Sequence, residues 1–211
     1  MVRSLLPVAA VQDLVLTIFP CMYRAHKNRD RQPIIHDATD TGDLAIYPAI
    51  HQIRGNFFMN RNWLGDTRSG YSIDYDDGSS QYNATSNFLV YGAFKVRDGV
   101  NRQHSHNLIY GKPADYQCDG FNSTVFEYNT VISEAIEYGC VGKAFDKLGS
   151  YNSVHQNNNR YFTPNNTALD FSACGKSFAE LQAAGYEKGS TISAELSVAG
   201  IMEMARATLQ M

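Results

Sequence analysis

Two short stretches of this chain concentrate acids and bases: Ile73-Asp74-Tyr75-Asp76-Asp77-Gly78-Ser79-Ser80 and Phe94-Lys95-Val96-Arg97-Asp98-Gly99. Aligning Ile73 with Phe94, Tyr75 with Val96 and Gly78 with Gly99 uses one offset of 21 residues and keeps the apolar positions on one side. Three outward pairs follow: Asp74 beside Lys95, Asp76 beside Arg97, and Asp77 beside Asp98. The first two are opposite charges on neighbouring strands, worth about 0.5 kcal/mol each when exposed. The third is a like-charge pair. Two carboxylates held about 5 Å apart cannot both ionise freely, so one keeps its proton to higher pH, as a general acid beside a carboxylate nucleophile or base must. A separation of about 5–5.5 Å suits retaining glycoside hydrolysis and a wider one suits inversion. Lys95 and Arg97 could hold a sugar hydroxyl or the carboxylate of a uronic acid. The same residues also make good turn chemistry and an ordinary solvated face, so residue type alone leaves a structural role open.

Arg102, His104 and His106 are expected to extend this polar face. His104 and His106 stand two apart, on one side of a strand, but no carboxylate follows at a ligand spacing, so no metal site is expected. Asp119 and Glu127, one repeat further on, could border the same groove.

The elements that must position these residues are repeats. An apolar-outward-apolar triplet followed by glycine recurs at Ile73-Asp74-Tyr75, Phe94-Lys95-Val96, Tyr116-Gln117-Cys118 and Tyr138-Gly139-Cys140, in steps of 21, 22 and 22. A second marker runs in step: Asn87-Phe88-Leu89, Asn107-Leu108-Ile109 and Asn129-Thr130-Val131. This period suits one coil of a parallel β-solenoid, in which residues one coil apart become neighbours about 4.8 Å apart. Asn87, Asn107 and Asn129 are expected to form a stabilising ladder, since Asn amides bond turn backbone and one another and Asn tolerates left-handed backbone angles. Asn56-Phe57-Phe58 resembles the marker but lies too far ahead of Asn87, which implies an insertion at about Asn60 to Gly70. From Ser177 the period becomes helical, with Phe178, Leu181 and Ala184 closed by Gly185. A second helix, about Val198 to Leu209, puts Ile201, Met204, Ala205 and Thr208 on one face. The fold expected is all-β, a single-stranded right-handed parallel β-helix with a short C-terminal helical cap. It divides into an irregular segment over 1–40, the β-helix over 41–175 and the cap over 176–211.

With 13 Tyr, 11 Phe and 16 Gly, the composition is that of a β-rich and turn-rich chain. A net charge of −3 supplies no basic surface to draw nucleic acid or an anionic membrane, so neither partner is expected. The apolar first twenty residues are broken by Gln12 and Asp13, too short for a membrane span and a poor match to a signal peptide. The four cysteines show no CxxC spacing; Cys118 and Cys140 fall at equivalent repeat positions and are expected to stack in the interior, as buried thiols or a disulfide. Three sequons, at Asn83, Asn122 and Asn165, permit glycosylation if the chain is secreted in a eukaryote.

The string Ile73-Asp74-x-Asp76-Asp77-Gly78-Ser79-Ser80, followed by Gly92-x-x-Lys95-x-Arg97-Asp98-Gly99 and Arg102, resembles the right-handed parallel β-helix repeat proteins of the pectate-lyase-like superfamily (the pectin lyase fold). More loosely it resembles β-helix glycosidases such as β-xylosidases. The likeness covers about residues 40–175, and such relatives carry Glu where this chain has the shorter Asp98. The resemblance implies a carbohydrate-active protein of the extracellular space or secretory pathway, with a polysaccharide or oligosaccharide as partner. The leading expectation is a glycoside hydrolase acting on plant, algal or microbial polysaccharide. Asp74, Asp76, Asp77 and Asp98 would supply acid, base or nucleophile, and Lys95, Arg97, Arg102 and His104 would bind substrate, with no cofactor. Two alternatives use the same groove: a uronate polysaccharide lyase, with Lys95 or Arg97 as base and a calcium ion (Ca2+) held by the aspartates, and a non-catalytic glycan-binding or structural β-helix.

Overall fold

The computed structural model describes residues 50–59, 71–75, 79–97, 99–118, 122–142, 152–163, 171–173, 175–194 and 196–211. Their strands pair only in parallel and form three sheets that the chain visits in turn. The first sheet holds β1 (His51–Arg54), β4 (Tyr82–Thr85), β7 (Gly99–Ser105), β10 (Asn122–Glu127) and β13 (Asn152–Asn157). The second holds β2 (Phe57–Met59), β5 (Phe88–Val90), β8 (Leu108–Tyr110), β11 (Thr130–Ile132), β14 (Arg160–Thr163) and β16 (Thr191–Ala194). The third holds β3 (Ile73–Tyr75), β6 (Phe94–Val96), β9 (Ala114–Cys118), β12 (Ile136–Gly142) and β15 (Phe171–Ala173). Each circuit of first, second and third sheet lies on the circuit before it, an arrangement consistent with a β-solenoid.

The turn between the first and second sheets sets the register. The backbone N–H of Asn56 donates to Asn87 Oδ1, that of Asn87 to Asn107 Oδ1, that of Asn107 to Asn129 Oδ1 and that of Asn129 to Asn159 Oδ1, each at 3.0 Å. Each side-chain amide also donates to the next Oδ1, and from Asn87 onward to the carbonyl three residues ahead of the preceding Asn: Ile53, Ala84, His104 and Phe126 in turn. Ser190 closes the row by accepting from the Asn159 N–H at 2.9 Å. The expected three-member ladder is therefore extended at both ends. Its steps, 31, 20, 22, 30 and 31 residues, show which circuits carry insertions. The first long step agrees with added residues ahead of Asn87; the expected insertion, Asn60 to Gly70, lies outside the described residues. The left-handed angle belongs not to the row's own Asn or Ser but to the residue before it: Gly55, Ser86, His106, Tyr128, Asn158 and Gly189 all have φ between 54° and 71°. That bend lets the Asn amide turn inward to the stacked backbone.

In the third sheet Ile73 pairs with Phe94, Asp74 with Lys95 and Tyr75 with Val96, the register expected from sequence. The next step differs: Phe94 pairs with Ala114 and Val96 with Tyr116, while Tyr116 pairs with Cys140 and Cys118 with Gly142. Cys118 and Cys140 are thus not at equivalent positions. A slip of two residues preserves the in-out alternation, so the apolar pattern fits either register.

The inner faces form one core, with Leu89, Ile109, Val131 and Tyr161 from the second sheet facing Tyr75, Phe94, Tyr116 and Tyr138 from the third. A second core lies outside the second sheet, where Phe88, Val90, Leu108, Tyr110, Ile132 and Phe162 meet Ile201 and Ala205 of α2 (Val198–Leu209). The expected terminal cap is accordingly divided in two. The short helix α1 (Phe178–Ala183) follows β15 and sends Phe178 and Leu181 into the inner core, starting from a capping box of Ser177 and Glu180. Strand β16 then extends the second sheet, and α2 lies against the sides of β5 and β8 instead of over an end. The exposed apolar side of the second sheet attracts it there.

Candidate functional site

Strands β3, β6 and β9 alternate apolar and polar residues, so Asp74, Lys95 and Asp115 form one outward row while their neighbours Tyr75, Phe94, Val96, Ala114 and Tyr116 are buried. Lys95 Nζ lies 3.0 Å from Asp74 Oδ1, with 17% and 38% of the two side chains exposed. At the other end of the row Lys112 Nζ stands 3.7 Å from Asp115 Oδ2. Tyr71, just ahead of β3, donates its hydroxyl to that same oxygen. Partial burial raises the Tyr71 phenol well above its ordinary range, reinforced by this bond and by the negative charges of Asp115 and Asp74. The phenol therefore stays protonated at neutral pH and acts as a donor.

Of the residues expected to do chemistry, Asp74, Lys95 and Arg97 lie at this face's strands and their ends. Asp76, Asp77, Asp98 and Asp119 lie outside the described residues. Arg97 joins its N–H to the Tyr75 carbonyl at 3.1 Å. Glu127 belongs to the first sheet, opposite Ser105 and Asn157, and accepts from Asn157 Nδ2 at 3.2 Å; it does not border the Asp74 row.

Arg102 and His104 correct the expectation of a polar outer face. In β7 the exposed residues are Asn101 and Gln103, and the alternate positions Arg102 and His104 point into the core, 1% and 0% exposed. A surface ligand does not reach them. Arg102 Nη2 donates to the carbonyls of Arg97 at 2.5 Å and Gly99 at 3.0 Å, and its guanidinium stands 5.7 Å from the Tyr75 ring centre. His104 stacks on Phe94, with ring centres 4.1 Å apart, and on Tyr75 at 5.3 Å; neither ring nitrogen has a hydrogen-bond partner among the described residues. Burial, and secondarily the Arg102 charge, lowers its pKa well below 6.5, so the imidazole is neutral. His106 instead occupies the left-handed turn position and stacks on Tyr128 at 5.3 Å, so the two histidines do not share a face.

The row's far end, Asp115 with Tyr71 and Lys112, was not anticipated. Its signal was Ala114-Asp115-Tyr116, the apolar-outward-apolar triplet two residues ahead of the one aligned by its glycine. A second unanticipated cluster is interior. Glu187, fully buried, accepts at Oε1 from Tyr161 Oη at 2.7 Å and from Gln156 Nε2. Tyr116 Oη donates to Gln156 Oε1 at 3.1 Å, and the Tyr138 and Tyr161 hydroxyls lie 3.0 Å apart. Burial raises Glu187 to about 7 against the opposing effect of these hydrogen bonds. The enclosure of the cluster gives it a structural role, holding the 186–190 loop to the end of the stack.

No family model matches this chain, and neither a curated protein nor a solved structure matches it. Among the described residues no helix is long and apolar enough to cross a membrane, and no three His, Cys, Asp or Glu residues are grouped to hold a metal ion.

Proposed function

We propose that this chain is a carbohydrate-active, single-stranded right-handed parallel β-helix protein of the pectate-lyase-like kind, working outside the cell or in the secretory pathway, and that its reaction is glycoside hydrolysis. The observation that carries the reading is the Asp74–Lys95 pair, in register and 3.0 Å apart. It ties together the two neighbouring strands whose next residues in the chain are Asp76-Asp77 and Arg97-Asp98. Acid, base or nucleophile would come from Asp76, Asp77 and Asp98 beside Asp74, with Lys95 and Arg97 orienting the sugar. The test is release of reducing sugar from plant and algal glycans, including xylo-oligosaccharides, by the wild type and by Asp77→Asn and Asp98→Asn. A catalytic carboxylate lost should cost about 100-fold or more in kcat. Cleavage by both variants at the wild-type rate, or cleavage of no glycan by the wild type, rejects hydrolysis.

A second reading, a glycan-binding β-helix without catalysis, is favoured by the pairing of the described charges: Asp74 with Lys95, and Asp115 with Lys112 and Tyr71. The uronate lyase alternative asks more of the same residues. Lys95 would have to leave Asp74 before acting as a base. Chelator-sensitive formation of unsaturated product from pectin or alginate would favour the lyase over both.

A further inference from the structure

Tyr71 lies on the first circuit and its hydroxyl bonds Asp115 on the third, 44 residues away, so the side chain runs across the strand between them. The backbone next to it is tied to that middle circuit: the Ser72 N–H donates to the Gly92 and Ala93 carbonyls, each at 3.0 Å. Tyr71 as a residue is partly buried and partly exposed. Polar groups flank it. Lys95 meets Asp74 through Oδ1, while Tyr71 and Lys112 both meet Asp115 through Oδ2. Among the described residues Asp74 Oδ2 and Asp115 Oδ1 accept no bond, and a carboxylate oxygen can accept more than one.

We propose that Tyr71, Asp74, Lys95, Lys112 and Asp115 form a subsite for a neutral pyranose unit, one that discriminates against uronic acids. The inference rests on the carbohydrate-active reading and makes its substrate class specific. A pyranose ring has an apolar face of C–H groups and a rim of hydroxyls. The face packs on an aromatic side chain, and the rim donates to carboxylate oxygens such as the two left open here. The charges decide the class. Two carboxylates and two ammonium groups sum to zero, and each ammonium stands against a carboxylate at 3.0 or 3.7 Å. A uronate entering the row meets no net positive charge from these five residues and must approach the partly exposed Asp74 carboxylate, a like charge. A neutral sugar meets no such repulsion.

Calorimetric titration of the full chain with xylohexaose, cellohexaose, mannohexaose and hexagalacturonate tests this, with Tyr71→Ala, Tyr71→Phe and Asp115→Asn checked for native circular dichroism. At least one neutral hexasaccharide should bind roughly tenfold or more tighter than hexagalacturonate. Tyr71→Ala should weaken that binding by roughly tenfold and Asp115→Asn by about fivefold, while Tyr71→Phe, which keeps the ring, stays within about threefold. Tighter, salt-sensitive binding of hexagalacturonate would overturn the inference, as would neutral-sugar binding that neither Tyr71→Ala nor Asp115→Asn alters; both leave the carbohydrate reading intact. Failure of all four sugars to bind wild type would remove both.

Discussion

His104 stands inside the stack as a neutral imidazole with aromatic rings for neighbours and, among the described residues, no partner for either nitrogen. Burying unbonded polar atoms costs stability, so His104→Phe should raise the urea unfolding free energy by about 1–2 kcal/mol, a gain that added ring volume must not cancel. The same variant should change the pH profile. The folded pKa of His104 lies below the unfolded one, so its contribution is complete above about 6.5 and is lost as pH falls below that value; His104→Phe should flatten that acid limb. An unchanged limb would mean that His104 does not titrate on unfolding. Glu187 acts in the opposite sense. Its folded pKa, about 7, lies above the ordinary 4.5, so its contribution is full below about 4.5 and is lost as pH rises through 7. At about 1.4 kcal/mol per pH unit the loss amounts to about 3 kcal/mol. Glu187→Gln should therefore remove the decline between pH 4.5 and 7 and be the more stable protein at pH 8. A wild-type curve flat across that range would refute it.

At the scale of the element, the asparagine row joins each circuit to the next through side chains as well as strands. Asn107→Ala removes the acceptor of the Asn87 N–H and the donor to the Ala84 carbonyl, both buried, and should cost about 3–5 kcal/mol in denaturant unfolding. Asn56 begins the described row, and its amide bond to the Arg54 carbonyl is exposed. Asn56→Ala should cost about 1 kcal/mol, because water replaces what is lost there. Equal costs at the two positions would show that the row does not act through burial. The ladder was legible because one residue type recurs beside apolar pairs. The preceding column was not, because Gly55, Ser86, His106, Tyr128, Asn158 and Gly189 share a backbone angle and no common chemistry.

The whole molecule has an inner core common to three sheets and an outer one that depends on α2. Ending the chain at Leu196 should leave the stacked sheets in place while uncovering Phe88, Val90, Leu108 and Tyr110, which α2 now helps bury. An apolar stripe of that kind promotes association, so the truncated protein should keep its β-type circular dichroism yet form oligomers by light scattering. A monomeric truncated protein would mean that other parts of the chain cover the stripe.

Repetition along the chain was sufficient for some features. Ile73-Asp74-Tyr75 and Phe94-Lys95-Val96 differ by one circuit, and the Asp74–Lys95 pair follows from counting, because parallel stacking turns that offset into adjacency. The parallel β character follows from the repeat of 21–22 residues, and the span of α2 from a periodicity of 3.6. Tertiary structure alone decided the rest. Asn101-Arg102-Gln103-His104 alternates polar with polar, so nothing local distinguishes its inner side, and only closure around Tyr75 and Phe94 turns Arg102 and His104 inward. Asp115 joined the row through a two-residue slip that leaves alternation untouched, and Tyr71 met it across a whole circuit. Alternation fixes which residues share a side; hydrogen bonding and packing between circuits decide which side is inside and who stands opposite whom.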